Sequence, residues 1–194
     1  MAVTLNKSEK QRLSAEDWEN AALELLAQEG VAAVAVEPLA KRLGVTKGSF
    51  YWHFPTRDAL LEAALKRWEN DDRGDVMSRV EVIPDPRDRL RQLIRLTSRT
   101  LRTHRVMSAL LNSIDHPLVG PVIGRINEQR LRYVTETFIA AGMDPVTAGH
   151  RARLTYTSYV GFMQLAQTHS MPKMGREDFD AYIEHMVQTL VPAA

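Results

Sequence analysis

Val36-Glu37-Pro38-Leu39-Ala40-Lys41-Arg42-Leu43-Gly44-Val45-Thr46-Lys47-Gly48-Ser49-Phe50-Tyr51-Trp52-His53-Phe54 is the stretch that decides the fold. Two short helical segments joined at Gly44-Val45 have the dimensions of a helix-turn-helix. The glycine suits a turn where the backbone leaves the first helix in a conformation that a Cβ disfavours. Val45 is apolar and fits beneath both segments, while Thr46 stands where a cap for the second helix belongs. Phe50 and Phe54 lie four apart and are assigned to the core. That leaves Lys47, Gly48, Ser49, Tyr51, Trp52 and His53 facing largely outwards.

Charge is distributed to match. The whole chain carries a net charge of only +1, yet Pro38 to Arg57 contains Lys41, Arg42, Lys47 and Arg57 and no acidic residue. A cationic patch of this kind meets the phosphates of a duplex, and side chains on the second helix read base edges in the major groove. Gly48 lets the backbone come close to DNA, Tyr51 and His53 can donate to phosphates, and Trp52 offers apolar area to thymine methyls or sugars.

Outward from the motif, the periodicity is helical almost throughout. Before it, Ser14 caps a helix carrying Trp18, Ala21, Ala22, Leu25 and Leu26, which Gly30 stops; residues 1–12, with Lys7, Lys10 and Arg12, read as a flexible arm. After it, Thr56 caps a helix with Leu60, Leu61, Ala64, Leu65 and Trp68, followed by a polar stretch from Glu69 to Asp75 and a loop around Pro84. Asp85-Pro86 opens a helix read as far as Arg105, and Asp144-Pro145 opens another. Phe179, Tyr182, Ile183, Met186, Val187 and Leu190 mark the last. About nine helices and no convincing strand pair give an all-α fold.

Composition excludes several functions. Among 194 residues there is no cysteine, so disulfides, thiolate metal sites and thiol nucleophiles are ruled out. The N-terminus lacks the pattern of a secretion signal, and no run of about 18 apolar residues occurs, so the expectation is a cytoplasmic protein without a membrane span. No close-spaced histidine pair or Gly-x-Ser-x-Gly motif occurs; no metal, catalytic or cofactor site is assigned.

The quoted string resembles the DNA-binding signature of the tetracycline-repressor (TetR) family, and Arg57 stands where that family has a basic residue three positions after the phenylalanine. The resemblance covers roughly residues 14–65. It departs from the family at Ala35, often threonine, and at Glu37, often basic. It implies an N-terminal three-helix helix-turn-helix domain over 13–56 and a C-terminal helical effector-binding and dimerisation domain over 57–194. It also implies a homodimer binding a palindromic operator on double-stranded DNA, with Lys41, Thr46, Lys47, Gly48, Ser49, Tyr51, Trp52, His53 and Arg57 at or near it. A small-molecule effector, apolar or aromatic, would release the DNA, and the pocket falls in the helical region that contains Met107, Leu110, Leu111, Ile114, Tyr156, Tyr159, Phe162 and Met163. The last two helices, 145–168 and 176–191, would form the dimer interface. Two alternatives stay open: a constitutive DNA-binding dimer without an effector, and a helical enzyme with a regulatory helix-turn-helix. Between Arg87 and Arg105 seven arginines face Asp88 alone. They read as a solvated face partly paired with Glu69, Asp71, Asp72 and Asp75.

Overall fold

The computed structural model describes residues 13–99, 101–168 and 170–191, and the side chains among them except those of 72–75, 101 and 102. The arm assigned to 1–12 lies outside the described residues. Nine α-helices follow one another, with no strand among the described residues. They are α1 (Ala15–Glu29), α2 (Val36–Arg42), α3 (Lys47–Tyr51), α4 (Arg57–Val80), α5 (Pro86–Thr97), α6 (Leu101–Leu111), α7 (Val119–Ala140), α8 (Pro145–Gln167) and α9 (Arg176–Leu190). A 3-10 turn, Val31–Ala33, links α1 to α2.

The helix starts follow from local chemistry. Ser14 and Asp17 form a capping box, each side chain accepting from the other's backbone N–H. Thr56 accepts from Ala59 N, and Asp85 and Asp144 each cap a helix whose first residue is proline. Each aspartate accepts two backbone N–H groups; these hold the Asp85 carboxyl below the ordinary range, and the Thr147 side chain together with its backbone N–H does so for Asp144.

Two boundaries differ from the sequence reading. The polar stretch from Glu69 is helical, because α4 runs unbroken for 24 residues to Val80, which is fully buried. Apolar Val76, Met77 and Val80 supply the inward face that the acidic residues conceal. The arginine-rich segment is two helices. Near the end of α5 the hydroxyls of Thr97 and Ser98 bond back to the carbonyls of Leu93 and Ile94, closing that helix before α6 begins.

Packing forms two apolar clusters. One joins α1–α4 to Val106, Met107 and Leu110 of α6, the first half of α7 and Met163 of α8, with no break at residue 57. The other gathers α5, the second half of α7, the start of α8 and α9. Arg95 of α5 and Arg99 just beyond it find partners on α9 rather than on the acidic stretch of α4. Arg95 meets Glu184 with two bonds of 2.7 Å, and Arg99 lies 2.9 Å from Asp180. Arg91 bonds Asp88 on its own helix, and Arg89 donates to the carbonyl of Ile83.

α7 begins in close contact with the turn before it. A Cβ on Gly120 would stand 2.8 Å from the carbonyl oxygen of Ile114, a backbone atom that cannot swing aside. Gly120→Ala is therefore expected to destabilise the chain by about 1–3 kcal/mol, despite alanine's better helix propensity, in urea unfolding. A second expectation concerns pH. Hydrogen bonds from Arg95 hold the Glu184 carboxyl below its ordinary range. A depressed folded-state pKa adds stability that is present above the unfolded value and lost as pH falls through the folded one. The pair is partly exposed and its contribution modest. Unfolding curves on acidification through the carboxylate range should show a shallower loss of stability in Glu184→Gln than in the parent.

Candidate nucleic-acid interface and ligand cavity

The turn between α2 and α3 is closed by backbone bonds: Leu43 N to Leu39 O, Gly44 N to Lys41 O and Val45 N to Ala40 O. Gly44 has φ +67°, in the region that favours glycine. Thr46 occupies the cap position of α3 by backbone geometry, but its side chain makes no capping hydrogen bond. The expected side-chain cap is absent, which leaves that hydroxyl exposed on the outer surface.

Five residues are too few for a helix to stand alone in water, so α3 depends on its packing. Phe50 is fully buried, edge-on to Trp18 at 5.4 Å and 5.9 Å from Phe54. Turning Phe50 and Phe54 inward forces their neighbours out: Tyr51 is 63 % and Trp52 82 % exposed. Lys41, Thr46, Lys47 and Gly48 are exposed with them, while Ser49 and His53 are half-buried at the edge of the same surface. A Cβ on Gly48 would touch nothing closer than the Thr46 hydroxyl at 3.7 Å, so no crowding within the chain requires this glycine.

The cations are less free than their number suggests. Arg42 turns back to α1, bonding Gln28 and Glu24. Lys47 Nζ lies 2.8 Å from Glu37 Oε2. Arg57 donates through Nε to Val34 O at 2.7 Å and through Nη2 to Val31 O at 2.8 Å, and its Nη1 meets Asp58. It clamps the 3-10 turn and the strand-like residues that lead into α2, a role that sequence reasoning missed.

The family model described as "Bacterial regulatory proteins, tetR family" matches residues 20–64. Over those residues the chain is similar to the DNA-binding region of the TetR family. The match begins within α1, takes in α2, α3 and the first third of α4, and so contains the whole surface just described. A Mycobacterium tuberculosis protein named an HTH-type transcriptional regulator is 26 % identical over 143 residues, covering 73 % of this chain and 70 % of that one. The class A tetracycline repressor protein of Escherichia coli is 49 % identical over 43 residues, 22 % of this chain and 20 % of its own. Among solved structures, AibR in complex with isovaleryl coenzyme A and operator DNA shares the fold. Its TM-score is 0.69 at 21 % identity, covering 93 % of this chain and 99 % of its own. The matched segment and these relatives make the chain similar to DNA-binding transcriptional regulators of the TetR family.

A cavity of about 260 Å³ lies among α4, α5, α7 and α8. Its apolar walls include Met77, Leu93, Ile94 and Ile126. Tyr156 donates to Asn127 Oδ1 at 2.8 Å, with Arg130 beside it, and Tyr133 Oη is buried without a hydrogen-bond partner. Burial pushes the Tyr133 phenol up. Of the eight residues expected around a pocket, Tyr156 and Tyr159 line this one. Met107, Leu110 and Met163 are fully packed core, Leu111 packs beside them, and Ile114 is exposed. Phe162 stacks on Tyr182 at 4.8 Å. The cavity draws instead on the tail of α4 and on α5, elements whose apolar positions are interleaved with charge. Among the described residues no group of three or more His, Asp or Glu could hold a metal ion, and no helix is long and apolar enough to cross a membrane.

Lys47→Ala should leave the melting temperature unchanged, weaken DNA binding and reduce the salt slope by about one unit if its phosphate contact is lost. Arg57→Ala should instead cost about 2 kcal/mol of stability, because it removes charge-assisted bonds to two backbone carbonyls. Paired salt-dependent binding and thermal melts of both variants separate the contact from the clamp.

Proposed function

We propose that this chain is a homodimeric repressor whose α3 helices enter successive major grooves of a palindromic operator, and that a small molecule in the cavity releases it. The exposure of Tyr51 and Trp52 beside the buried Phe50 carries this reading. Two large side chains displayed on a short, firmly seated helix favour an occupant for that face. Lys41, Thr46, Lys47, Gly48, Ser49, Tyr51, Trp52 and His53 form the contact set, and Arg57 holds the motif in place from below. Functionally the chain divides into a DNA-reading unit, 13–56, and a regulatory unit, 57–194, that share an apolar core.

The cavity favours an effector over constitutive binding. Its occupant has an apolar or aromatic body, matched to walls that include Met77, Leu93, Ile94 and Ile126. A neighbour of the same fold was solved with both an acyl-coenzyme A ligand and operator DNA, which supports the pairing of the two activities.

Dimerisation through α8 and α9 is supported by an outward stripe on α8, where Leu154 is 54 % and Leu165 45 % exposed with Gly161 between them. The spacing, seven and then four, keeps all three on one helical face. Tyr182 and Met186 do not belong to that stripe: Met186 is buried and Tyr182 packs on Phe162 within the chain.

In vitro selection from a random duplex library tests the reading. Recovery of an inverted repeat with half-sites one helical turn or a multiple apart is the expected result. The Leu154→Asp, Leu165→Asp double variant should sediment as a monomer and lose preference for the repeat. Enrichment of a single asymmetric site by the parent would refute the dimer.

A further inference from the structure

Of the four cations in the helix-turn-helix, three are engaged within the protein; among the described residues only Lys41 makes no hydrogen bond or ion pair. The three engagements differ in kind. Arg42 and Arg57 reach backward and hold elements together. Lys47 and Glu37 join the first turn of α2 to the first residue of α3 on the outer side, with side chains 59 % and 74 % exposed. An ion pair so exposed adds little to stability. Glu37 is also the only acidic residue from Gly30 to Arg57. Its carboxylate is held below the ordinary range by Lys47.

We propose that Glu37 is a specificity-determining residue that restrains binding to arbitrary DNA. The inference rests on the reading of α3 as the DNA-facing helix. Two effects act in the same direction. The carboxylate competes with phosphate for the Lys47 ammonium, and it repels the phosphate backbone that α2 and α3 approach. Binding to non-specific duplexes is almost wholly electrostatic, so weakening one cation falls hardest there. Apolar contact of Trp52 with thymine methyls does not depend on that charge. Glu37 thus lowers affinity everywhere and improves the ratio of operator to bulk DNA, a repulsive element working beside attractive ones.

The test uses the full chain and three variants: Glu37→Gln, Lys47→Ala and the double substitution. Each is titrated with a random-sequence duplex and with the duplex recovered by selection, over a salt series, with fluorescence anisotropy as the readout. Glu37→Gln keeps the size of the side chain at an exposed position, and circular dichroism checks that each variant is folded. The expected gain for the random duplex in Glu37→Gln is on the order of three- to tenfold at low salt, shrinking as salt rises. At most half of that gain should survive in the Lys47→Ala background, and the selected-to-random affinity ratio should fall. Equal or weaker binding of the random duplex by Glu37→Gln would overturn the proposal, and a loss confined to the selected duplex would mean that the carboxylate reads a base. If Lys47→Ala bound both duplexes as the parent does, with the same salt slope, the DNA-facing reading of α3 would fail and the proposal with it.

Discussion

The outer face of this molecule depends on the burial of one phenyl ring. Phe50 sits edge-on to Trp18 of α1 and beside Phe54, and together these rings fix a helix of only five residues that has no capping side chain of its own. Every side chain that α3 turns outward takes its direction from that anchor. The clamp of Arg57 on Val31 and Val34 fixes the other side of the motif, so the approach to α2 is set by the start of α4. The outer surface here is a by-product of core packing, because the residues that face outward are those the core does not take.

A second theme is how charge is used. The segment from Arg87 to Arg99 and the helix-turn-helix both look strongly cationic in sequence, and in both most of that charge is answered inside the chain. For Arg95 of α5 and Arg99 just beyond it the answering acids are Glu184 and Asp180 of α9, more than eighty residues later. These contacts staple the second apolar cluster. In the motif the answering groups are three acids, an amide and two backbone carbonyls. A chain of nearly zero net charge thus presents few unengaged cations on α2 and α3, with the exposed pair Tyr51 and Trp52 beside them.

The fold class, the helix-turn-helix and its in-out pattern were legible because they rest on short-range signals: a glycine at a turn, aromatics four apart, caps followed by proline. The tail of α4 was not, since Val76, Met77 and Val80 are scattered among charged residues and only tertiary burial distinguishes them. The same limit hid the cavity. Methionines and aromatics at helical spacing drew attention to Met107 and Met163, yet whether such a side chain fills a core or borders a space depends on what faces it across several helices. Arg57 shows the problem for charge. Its position in the motif was plain, but its partners lie 23 and 26 residues upstream and are backbone carbonyls, which no residue type announces.

The three tryptophans sit in contrasting surroundings: Trp18 and Trp68 are almost fully buried and Trp52 is 82 % exposed. An indole in water emits further to the red and is open to collisional quenchers, whereas an enclosed one is neither. The molecule therefore carries a built-in optical reporter at the tip of α3. A soluble quencher acts on that one ring in the free protein, and anything that covers the face of α3 shields it, so occupancy of this surface can be followed in unlabelled protein.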